Sequence, residues 1–241
     1  MTNLKFILRS LVYHRGIHVW TLLGAMTGVA VLTGALIIGD SIRYSLRQIV
    51  YGRLGKTQYA LVSGERFINS RVADTLAGKL DTPVAPLLLL KGMVIAPGGG
   101  RRVSRVQVVG YDSRFSSLGG SGVFRKTISG DGALVNTHIA GRLGLKENDE
   151  FLLRMYNPGL IPKDMAWALV SDAKITKRFT IRALVSDAGL GGFNLKADQT
   201  APFTVFVPVE TLWRMMGLEG KSNAILVAER NPVLVITSPL T

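Results

Sequence analysis

Residues 16–39 read GIHVWTLLGAMTGVAVLTGALIIG, a run of 24 positions with no Asp, Glu, Lys or Arg. As an α-helix this run would be about 36 Å long, which exceeds the roughly 30 Å hydrocarbon core of a bilayer. It therefore predicts a transmembrane helix, which we assign to residues 17–39. Two alternatives stay open. One is a signal peptide cleaved near Thr33-Gly34-Ala35, although the run is longer than the apolar region of most signal peptides. The other is a helix buried in the core of a soluble protein.

Charges on either side of this run predict its orientation. Lys5, Arg9 and Arg15 precede it, and no acidic residue occurs among the first 39 positions, so the positive-inside rule places the N-terminus in the cytoplasm. Basic residues also follow the run and weaken this inference, although long translocated segments are largely exempt from the rule. They are Arg43, Arg47, Arg53 and Lys56. We expect a single-pass protein of the inner (cytoplasmic) membrane whose main domain is periplasmic or otherwise extracytoplasmic.

Apolar residues before the run repeat at helical spacing, with Lys5 and Arg9 away from their stripe. The stripe consists of Leu4, Ile7, Leu8, Leu11 and Val12. It predicts a cytoplasmic amphipathic segment over residues 1–16 that lies on membrane lipids. The alternative is an ordinary positively charged flank of a transmembrane helix.

Small residues fall on one side of the predicted span when it is drawn as a helix at 100° per residue. They are Gly24, Gly28, Ala35 and Gly39. Because small side chains let a second helix approach closely, this stripe is the candidate helix-packing face. Its partner would be another membrane helix or a second copy of the chain.

The helical pattern continues beyond Asp40 and predicts a stalk over residues 40–56. Its apolar positions are Ile42, Leu46, Ile49, Val50 and Leu54, and Gly55 provides a stop signal. A helix from Ile17 to Leu54 would be about 57 Å long and would leave about 27 Å outside the bilayer. Such a stalk could transmit motion between the membrane and an external domain.

Residues 57–228 alternate short strand and helix patterns and predict a mixed α+β domain. Strands are predicted at 59–62, 84–96, 103–109, 150–155, 178–185, 203–207 and 224–228. Helices are predicted at 136–145, at 208–216 and after a cap at Asn69 or Ser70. Turns or breaks are expected at 97–100, 146–149 and 157–159, and a loop at 112–132.

The composition excludes several classes of protein. The chain has 241 residues, of which 47% are hydrophobic, so it can bury a core and is not of a disordered type. The absence of cysteine excludes disulfide frameworks and Cys-ligated metal centres. Of the net charge of +13, +10 lies after residue 16. Outside the membrane this charge suits anionic lipids or acidic glycans better than nucleic acid, and a basic proteome is the simplest explanation of it.

No set of residues in the sequence indicates a catalytic, metal or cofactor site. Gly220-Lys221-Ser222 matches the end of a phosphate-binding loop, but the first glycine of that motif is replaced by Met215, so we interpret it as a surface turn. Residues 98–102, GGGRR, predict a hairpin tip with exposed arginines rather than an anion cradle. The three histidines, His14, His18 and His138, are scattered and indicate no metal site.

A combination of short segments runs through the chain. It comprises GDSIRYSL at 39–46, RLG at 53–55, VNTHIAGRLGL at 135–145, GLGGF at 189–193, Gln199, AP at 201–202, VFVP at 205–208 and NAILV at 223–227. Together with the basic start and the glycine-rich span, this combination resembles an FtsX/MacB-like ABC-transporter permease with a MacB-like periplasmic core domain over 57–228.

The resemblance implies a machine in which a separate cytoplasmic ABC ATPase moves the first membrane helix, and the stalk relays that motion to the external domain. It implies export or extraction of a substrate that the sequence does not identify. The family often has Gly-Asp where this chain has Asn148-Asp149. Its permeases also carry further spans, whereas no later run here reaches 18 apolar residues. We therefore expect the front portion of a permease, with 229–241 as a tail or a final strand.

Three hypotheses follow. The first is a membrane-anchored permease component with an ATPase partner and no enzymatic activity of its own. The second is a single-span envelope protein that binds a partner and has no transport role. The third, a tethered hydrolase, would require an acid, base or nucleophile that clusters only in the folded domain.

Overall fold

The computed structural model describes residues 7, 9–10, 12–64, 66–119, 124, 128, 130–156, 174–187, 190–195 and 202–228. The chain divides into two compact units, Met1–Ile49 and Val50–Thr241.

The first unit is dominated by helix α1, Arg15–Leu54, whose last residues belong to the second unit. Among the described residues it is the one helix long and apolar enough to cross a membrane. Its central side chains, such as Trp20 and Leu36, are exposed rather than packed in a protein core. The hydroxyls of Thr21 and Thr27 donate to the carbonyls of Ile17 and Leu23, at 2.9 and 2.7 Å. Those polar groups are therefore satisfied within the helix, as an apolar environment requires.

The second unit contains short helices and the strands of two sheets. The helices are α2 Arg71–Leu80, α3 Thr137–Leu143 and α4 Val209–Met216, with a 3-10 helix, η1, at Ser113–Leu118. The strands are β1 Thr57–Val62, β2 Ile68–Asn69, β3 Val84–Ile95, β4 Arg102–Tyr111, β5 Gly132–Asn136, β6 Glu150–Tyr156, β7 Lys174–Val185, β8 Thr204–Pro208, β9 Lys221–Ser222 and β10 Ala224–Ala228.

The larger sheet closes on itself. Its strand order is β1-β10-β3-β4-β8-β5-β7-β6, and β6 also pairs with β3. Six strands therefore form a closed barrel, while β10 and β1 extend the sheet beyond it. The pairs β4–β8 and β5–β7 are parallel, and the other pairs are antiparallel. Closure removes the free edges that an open sheet would expose.

Two clusters of buried side chains occupy the two sides of this sheet. All six barrel strands contribute to the first, including Leu88, Phe151 and Phe179, so that cluster fills the barrel interior. The second lies on the outer side of β4, β5 and β8 and contains residues of η1 and β10. Alternate residues of one strand thus serve two cores, for example Val205 inside and Phe206 outside.

Strand β3 pairs with two different strands along one of its edges. Val84–Leu87 pair with β10, and Gly92–Ile95 pair with β6. The side chain of Asn223 fills the gap between them, because its Oδ1 accepts from Leu89 N at 2.7 Å and its Nδ2 donates to Leu89 O at 2.8 Å. Nδ2 also donates to Gly64 O at 3.1 Å, which ties the end of β1 to the same point. One buried amide therefore continues the hydrogen-bond ladder where no strand does.

The predicted α+β class and the long N-terminal helix are confirmed. The helix ends at Leu54, as the stop signal at Gly55 predicts, and β3 and β4 form the predicted hairpin. Asn69, not Ser70, supplies the cap of α2, since its Oδ1 accepts from Arg71 N at 2.9 Å. The predicted breaks at 157–159, most of the amphipathic stripe in 1–16, and the tail at 229–241 lie outside the described residues.

Two parts of the domain differ from the sequence prediction. The predicted loop at 112–132 contains η1, and the residues that follow it form β5, a strand that the sequence does not indicate. Strand β7 also begins at Lys174 instead of 178. The apolar run in β5 is too short to show a period, and its strand conformation depends on pairing with β7 and β8.

Removing the Asn223 amide should destabilise the domain strongly. Asn223→Ala leaves the N–H and C=O of Leu89 without their partner, which should lower the free energy of unfolding by about 2–5 kcal/mol. Asn69→Ala, which removes one exposed hydrogen bond, should cost at most about 1 kcal/mol. Guanidinium denaturation of the detergent-solubilised chain measures both, and equal losses would contradict the bridging role.

Candidate coupling site at the end of the long helix

The last turn of α1 is built into the second unit. Gly55 N donates to Tyr51 O at 3.0 Å and closes the helix, and Lys56 N donates to Leu118 O at 2.8 Å. Gly55 has φ +58°, a left-handed conformation that turns the chain from the helix into β1. The first residue after the turn is thus hydrogen-bonded to the end of η1.

Gly55 is needed for contact as well as for conformation. A Cβ at this position would lie less than 3.0 Å from the carbonyl oxygen of Leu118 and 3.0 Å from Cδ2 of Leu190. Gly119 has φ +101°, and a Cβ there would lie 3.7 Å from the Cα of Gly55. Backbone therefore packs directly on backbone where the helix ends, with no flexible side chain between them.

Arg53 and Leu54 anchor the same turn from the side. Leu54 packs against the second core cluster, and Arg53 is buried although it carries a charge. The Cγ of Arg53 lies 3.5 Å from the position that a Cβ would take on Gly192. A cation in the last turn also interacts favourably with the negative end of the helix dipole.

We call the surface that receives residues 53–55 the seat. Residues 185–187 and 190–193 form its opposite wall. Gly191 N donates to Ser186 O at 3.0 Å, and a Cβ on Gly191 would clash with the carbonyl oxygens of Val185 and Ser186. Leu190 is fully buried at φ +67°, a conformation that costs a non-glycine residue about 1–2 kcal/mol. The Leu190 side chain lies against Gly55.

Aromatic rings continue the packing from this seat into the barrel wall. The cluster consists of Tyr111, Phe115, Phe124, Phe193 and Phe206. Phe193 meets Phe115 edge to face at 5.5 Å, and Phe124 meets Phe206 at 5.0 Å. Because Phe206 lies on β8 and Tyr111 on β4, a displacement of the helix end would reach two barrel strands through close-packed rings.

The cluster stays uncharged at any physiological pH. Burial, with a smaller contribution from the negative charge of Glu210, raises the pKa of Tyr111 to about 12. Its phenol is therefore protonated, and the rings pack as an apolar group.

A polar link joins this seat to α3. Asp187 Oδ2 lies 2.9 Å from His138 Nε2, and Asp187 Oδ1 lies 3.0 Å from the Cβ position of Gly192. Both side chains are partly exposed, so the pair contributes modestly to stability. It connects the Arg53 side of the turn to the helix that begins at Thr137.

Several of the short segments that carry the family resemblance are far apart in the sequence but are neighbours in the fold. Gly55 lies beside Leu190, and Asn136 Nδ2 donates to Pro202 O at 2.6 Å. The sequence indicates that the helix stops at Gly55, but it does not indicate that Gly55 contacts Leu118 and Gly119. That contact joins residues about 60 positions apart, and local periodicity carries no such information.

The remaining sequence candidates lie away from this seat. Gly24, Gly28 and Gly39 have open space where a Cβ would project, and they lie in α1 with Ala35. Lys221 lines a cleft of about 330 Å³ together with Glu219, whose carboxylate opposes phosphate binding. No group of three His, Asp or Glu residues that could hold a metal occurs in the described part of the chain.

Adding one methyl group to the seat should loosen it. Gly55→Ala combines a left-handed strain of about 1–2 kcal/mol with overlap against the Leu118 backbone, so we expect a loss of about 2–4 kcal/mol in unfolding free energy. Gly52→Ala is the matched control, because Gly52 is in α1 with nothing within 4 Å of its Cβ position. It should be neutral or stabilise by up to about 1 kcal/mol. Equal stability of the two variants in chemical denaturation would contradict the tight seat.

No protein-family model matches the chain, and no curated protein sequence matches it. Among solved structures it is similar to the periplasmic region of MacB from Actinobacillus actinomycetemcomitans, at 10% identity and a TM-score of 0.46, over 78% of this chain and 81% of that one. It is also similar to the extracellular domain of the noncanonic ABC-type transporter YknZ from Gram-positive bacteria, at 9% identity and a TM-score of 0.43, over 69% and 75% of the two chains.

Proposed function

We propose that this chain is a membrane-anchored permease component of an ABC transporter that passes motion along α1 into an extracytoplasmic domain. One observation carries the proposal. A single uninterrupted helix, Arg15–Leu54, contains both the apolar segment and the turn that is seated in the domain. An α-helix is stiff along its axis because every interior peptide is hydrogen-bonded, so axial displacement at one end reaches the other.

The seat suits the transfer of small displacements. Movement of the turn at Gly55 acts on the carbonyl of Leu118 through its hydrogen bond with Lys56 N, and it acts on the Leu190 side chain that lies beside Gly55. From there the aromatic cluster leads to β4 and β8. A domain that only needed a tether would require neither a buried arginine in the last turn nor a left-handed leucine beside it.

ATP hydrolysis belongs, in this proposal, to a separate cytoplasmic ABC ATPase. Residues 17–39 cross the inner membrane with the N-terminus in the cytoplasm, and 40–56 form the stalk. The small-residue face of Gly24, Gly28, Ala35 and Gly39 meets a further membrane span or a second copy. We assign no catalytic residue and no cofactor to the chain, and the exported or extracted substrate is left unassigned.

A second candidate function rests on a different observation. Strand β1 is the outer strand of the extended sheet, and Tyr59, Leu61 and Val62 are each at least half exposed. An exposed apolar edge strand can pair with a strand of another protein. The chain would then be a single-span binding or accessory protein that presents its domain to an envelope partner, without a transport role.

A labelling experiment separates the two functions. The chain has no native cysteine, so Ser117→Cys in η1 places one exposed thiol beside the seat. We expect the full chain to copurify with an ABC ATPase and the thiol labelling rate in membranes to change on addition of ATP. Ser45→Pro, which breaks α1, should abolish that change, whereas Ser45→Ala should preserve it. If ATP does not change the labelling rate in the copurified complex, the result would favour the second candidate function, an accessory protein without a transport role.

Crosslinking tests the proposed helix-packing face. Gly28→Cys and Ala35→Cys lie on that face, and Met26→Cys and Ile37→Cys lie roughly on the opposite side of the helix at 100° per residue. Oxidation in native membranes should link the first pair, but not the second, to another membrane helix that carries a cysteine, or to a second copy. Equal crosslinking from both faces would overturn the assignment.

A further inference from the structure

Positive charge in the barrel is confined to four strands that lie side by side. The strands are β4, β3, β6 and β7, in that spatial order. They contain eight basic residues and one acidic residue, Glu150, whereas β5 and β8 contain no charged residue. The basic residues are Lys91, Arg102, Arg105, Arg154, Lys174, Lys177, Arg178 and Arg182.

Seven of these charges point away from the barrel interior, whereas Lys177 is the cross-strand partner of Leu153, which faces inward. On β3 the even-numbered residues Leu88, Leu90 and Val94 belong to the inner core, so Lys91 faces out. On β6 the odd-numbered residues are buried and Arg154 is exposed. Seven of the eight basic residues are exposed, and the half-buried Lys177 pairs with Asp131 at 2.6 Å. We call the exposed outward positions of these four strands the basic face.

Little negative charge balances the basic face. Glu150 contacts Arg178 at 3.2 Å, and both side chains are more than half exposed, so this pair is weak. Arg154 donates only to the hydroxyl of Thr176 among its described contacts, at 3.3 Å. The face therefore keeps most of its charge available for an external anion.

Apolar side chains alternate with the charges in register. Arg102 pairs with Ile95, Ile95 with Leu152, and Leu152 with Arg178, so two aliphatic residues lie between two arginines in one row. In the next row Met93 pairs with Arg154. Tyr156, which is 53% exposed, stands beside Lys174 at the rim. Adjacent strands are about 4.8 Å apart, so the whole face is about 15 Å wide.

One of the eight basic residues has a strained backbone. The β3–β4 pairing is irregular between Gly92 and Val94, and Arg105 in the facing stretch has φ +57°. Glycine adopts that conformation without cost, yet the position carries an exposed arginine. Bulges of this kind aim a side chain out of a regular strand.

We propose that the basic face docks on the anionic phospholipid headgroups of the bilayer in which α1 is anchored. The inference rests on the proposed function, because it requires that anchoring. Phosphate oxygens match the arginines and lysines, the aliphatic side chains between them suit the acyl boundary, and tyrosine is typical of membrane interfaces. Single-stranded nucleic acid would instead require stacking aromatic rings, and Tyr156 is the sole aromatic residue among the exposed outward positions of the four strands.

Energy transfer in reconstituted vesicles tests the docking. The full chain carrying Ser104→Cys, labelled with a donor dye on the exposed face of β4, is inserted into vesicles with acceptor-labelled headgroups. Vesicles are either neutral phosphatidylcholine or contain 30% phosphatidylglycerol. Transfer should be higher with the anionic lipid and should fall to the neutral level in 1 M salt, where the Debye length is about 3 Å.

Charge variants identify the surface. Lys91→Gln, Arg102→Gln and Arg154→Gln together should weaken docking about a hundredfold, since each basic residue near an anionic surface contributes about fivefold. Arg66→Gln, Lys79→Gln and Lys221→Gln change the net charge equally on exposed positions outside the four strands, and should leave the transfer unchanged. Arg105→Gly should weaken docking about fivefold while the domain becomes no less stable.

Two results would overturn the proposal. One is equal transfer in neutral and anionic vesicles, and the other is an equal loss in both triple variants. Binding of soluble polyglutamate to the basic face without any lipid dependence would also replace the bilayer with an acidic polypeptide as partner. Flotation with neutral vesicles measures separately whether α1 anchors the chain in a bilayer. A chain that floats but shows no lipid-dependent transfer would contradict the docking and leave the proposed function intact.

Discussion

The barrel depends on the pairing of β3 with three other strands. Residues 88–95 of this strand pair with β4 along one edge, and the strand pairs with β10 and then β6 along the other edge. The β6 pairing closes the barrel, and Asn223 supplies the hydrogen bonds at the point where β3 changes partner. Closure separates an inner core from an outer one, so that both the seat of Gly55 and the basic face lie on the outer side of the barrel.

The outer core is what allows the long helix to be seated firmly. Because η1, β4 and β8 contribute aromatic rings to one cluster, the surface that receives Gly55 is backed by close-packed groups instead of a mobile loop. Gly55 and Gly191 stand where a Cβ has no room, and Gly119 and Leu190 are held in left-handed conformations. Such close backbone contact favours transmission of small movements, and it makes the seat sensitive to single methyl groups.

Many elements of the domain could be predicted from local sequence pattern. The surface that receives the end of α1 could not. The hairpin between β3 and β4, the cap of α3 by Asn136 and the stop at Gly55 each follow from a few neighbouring residues. Strand β5 escaped prediction because its short apolar run becomes a strand only through two distant partners. The seat for α1 likewise combines residues 53–55, 118–119 and 190–192, and no periodicity links those segments.

The sequence by itself determined that residues 16–39 form an uncharged helix long enough to cross a bilayer, and that a mixed α+β domain follows it. These properties are local, because helix length, charge and capping depend on residues within a few turns of one another. Only the tertiary structure decided that the six strands close into a barrel, that Leu118 and Leu190 receive the helix end, and that four strands rich in basic residues lie side by side. Strand alternation encodes which face is buried, whereas the identity of the neighbouring strand is decided by contacts between residues distant in the chain.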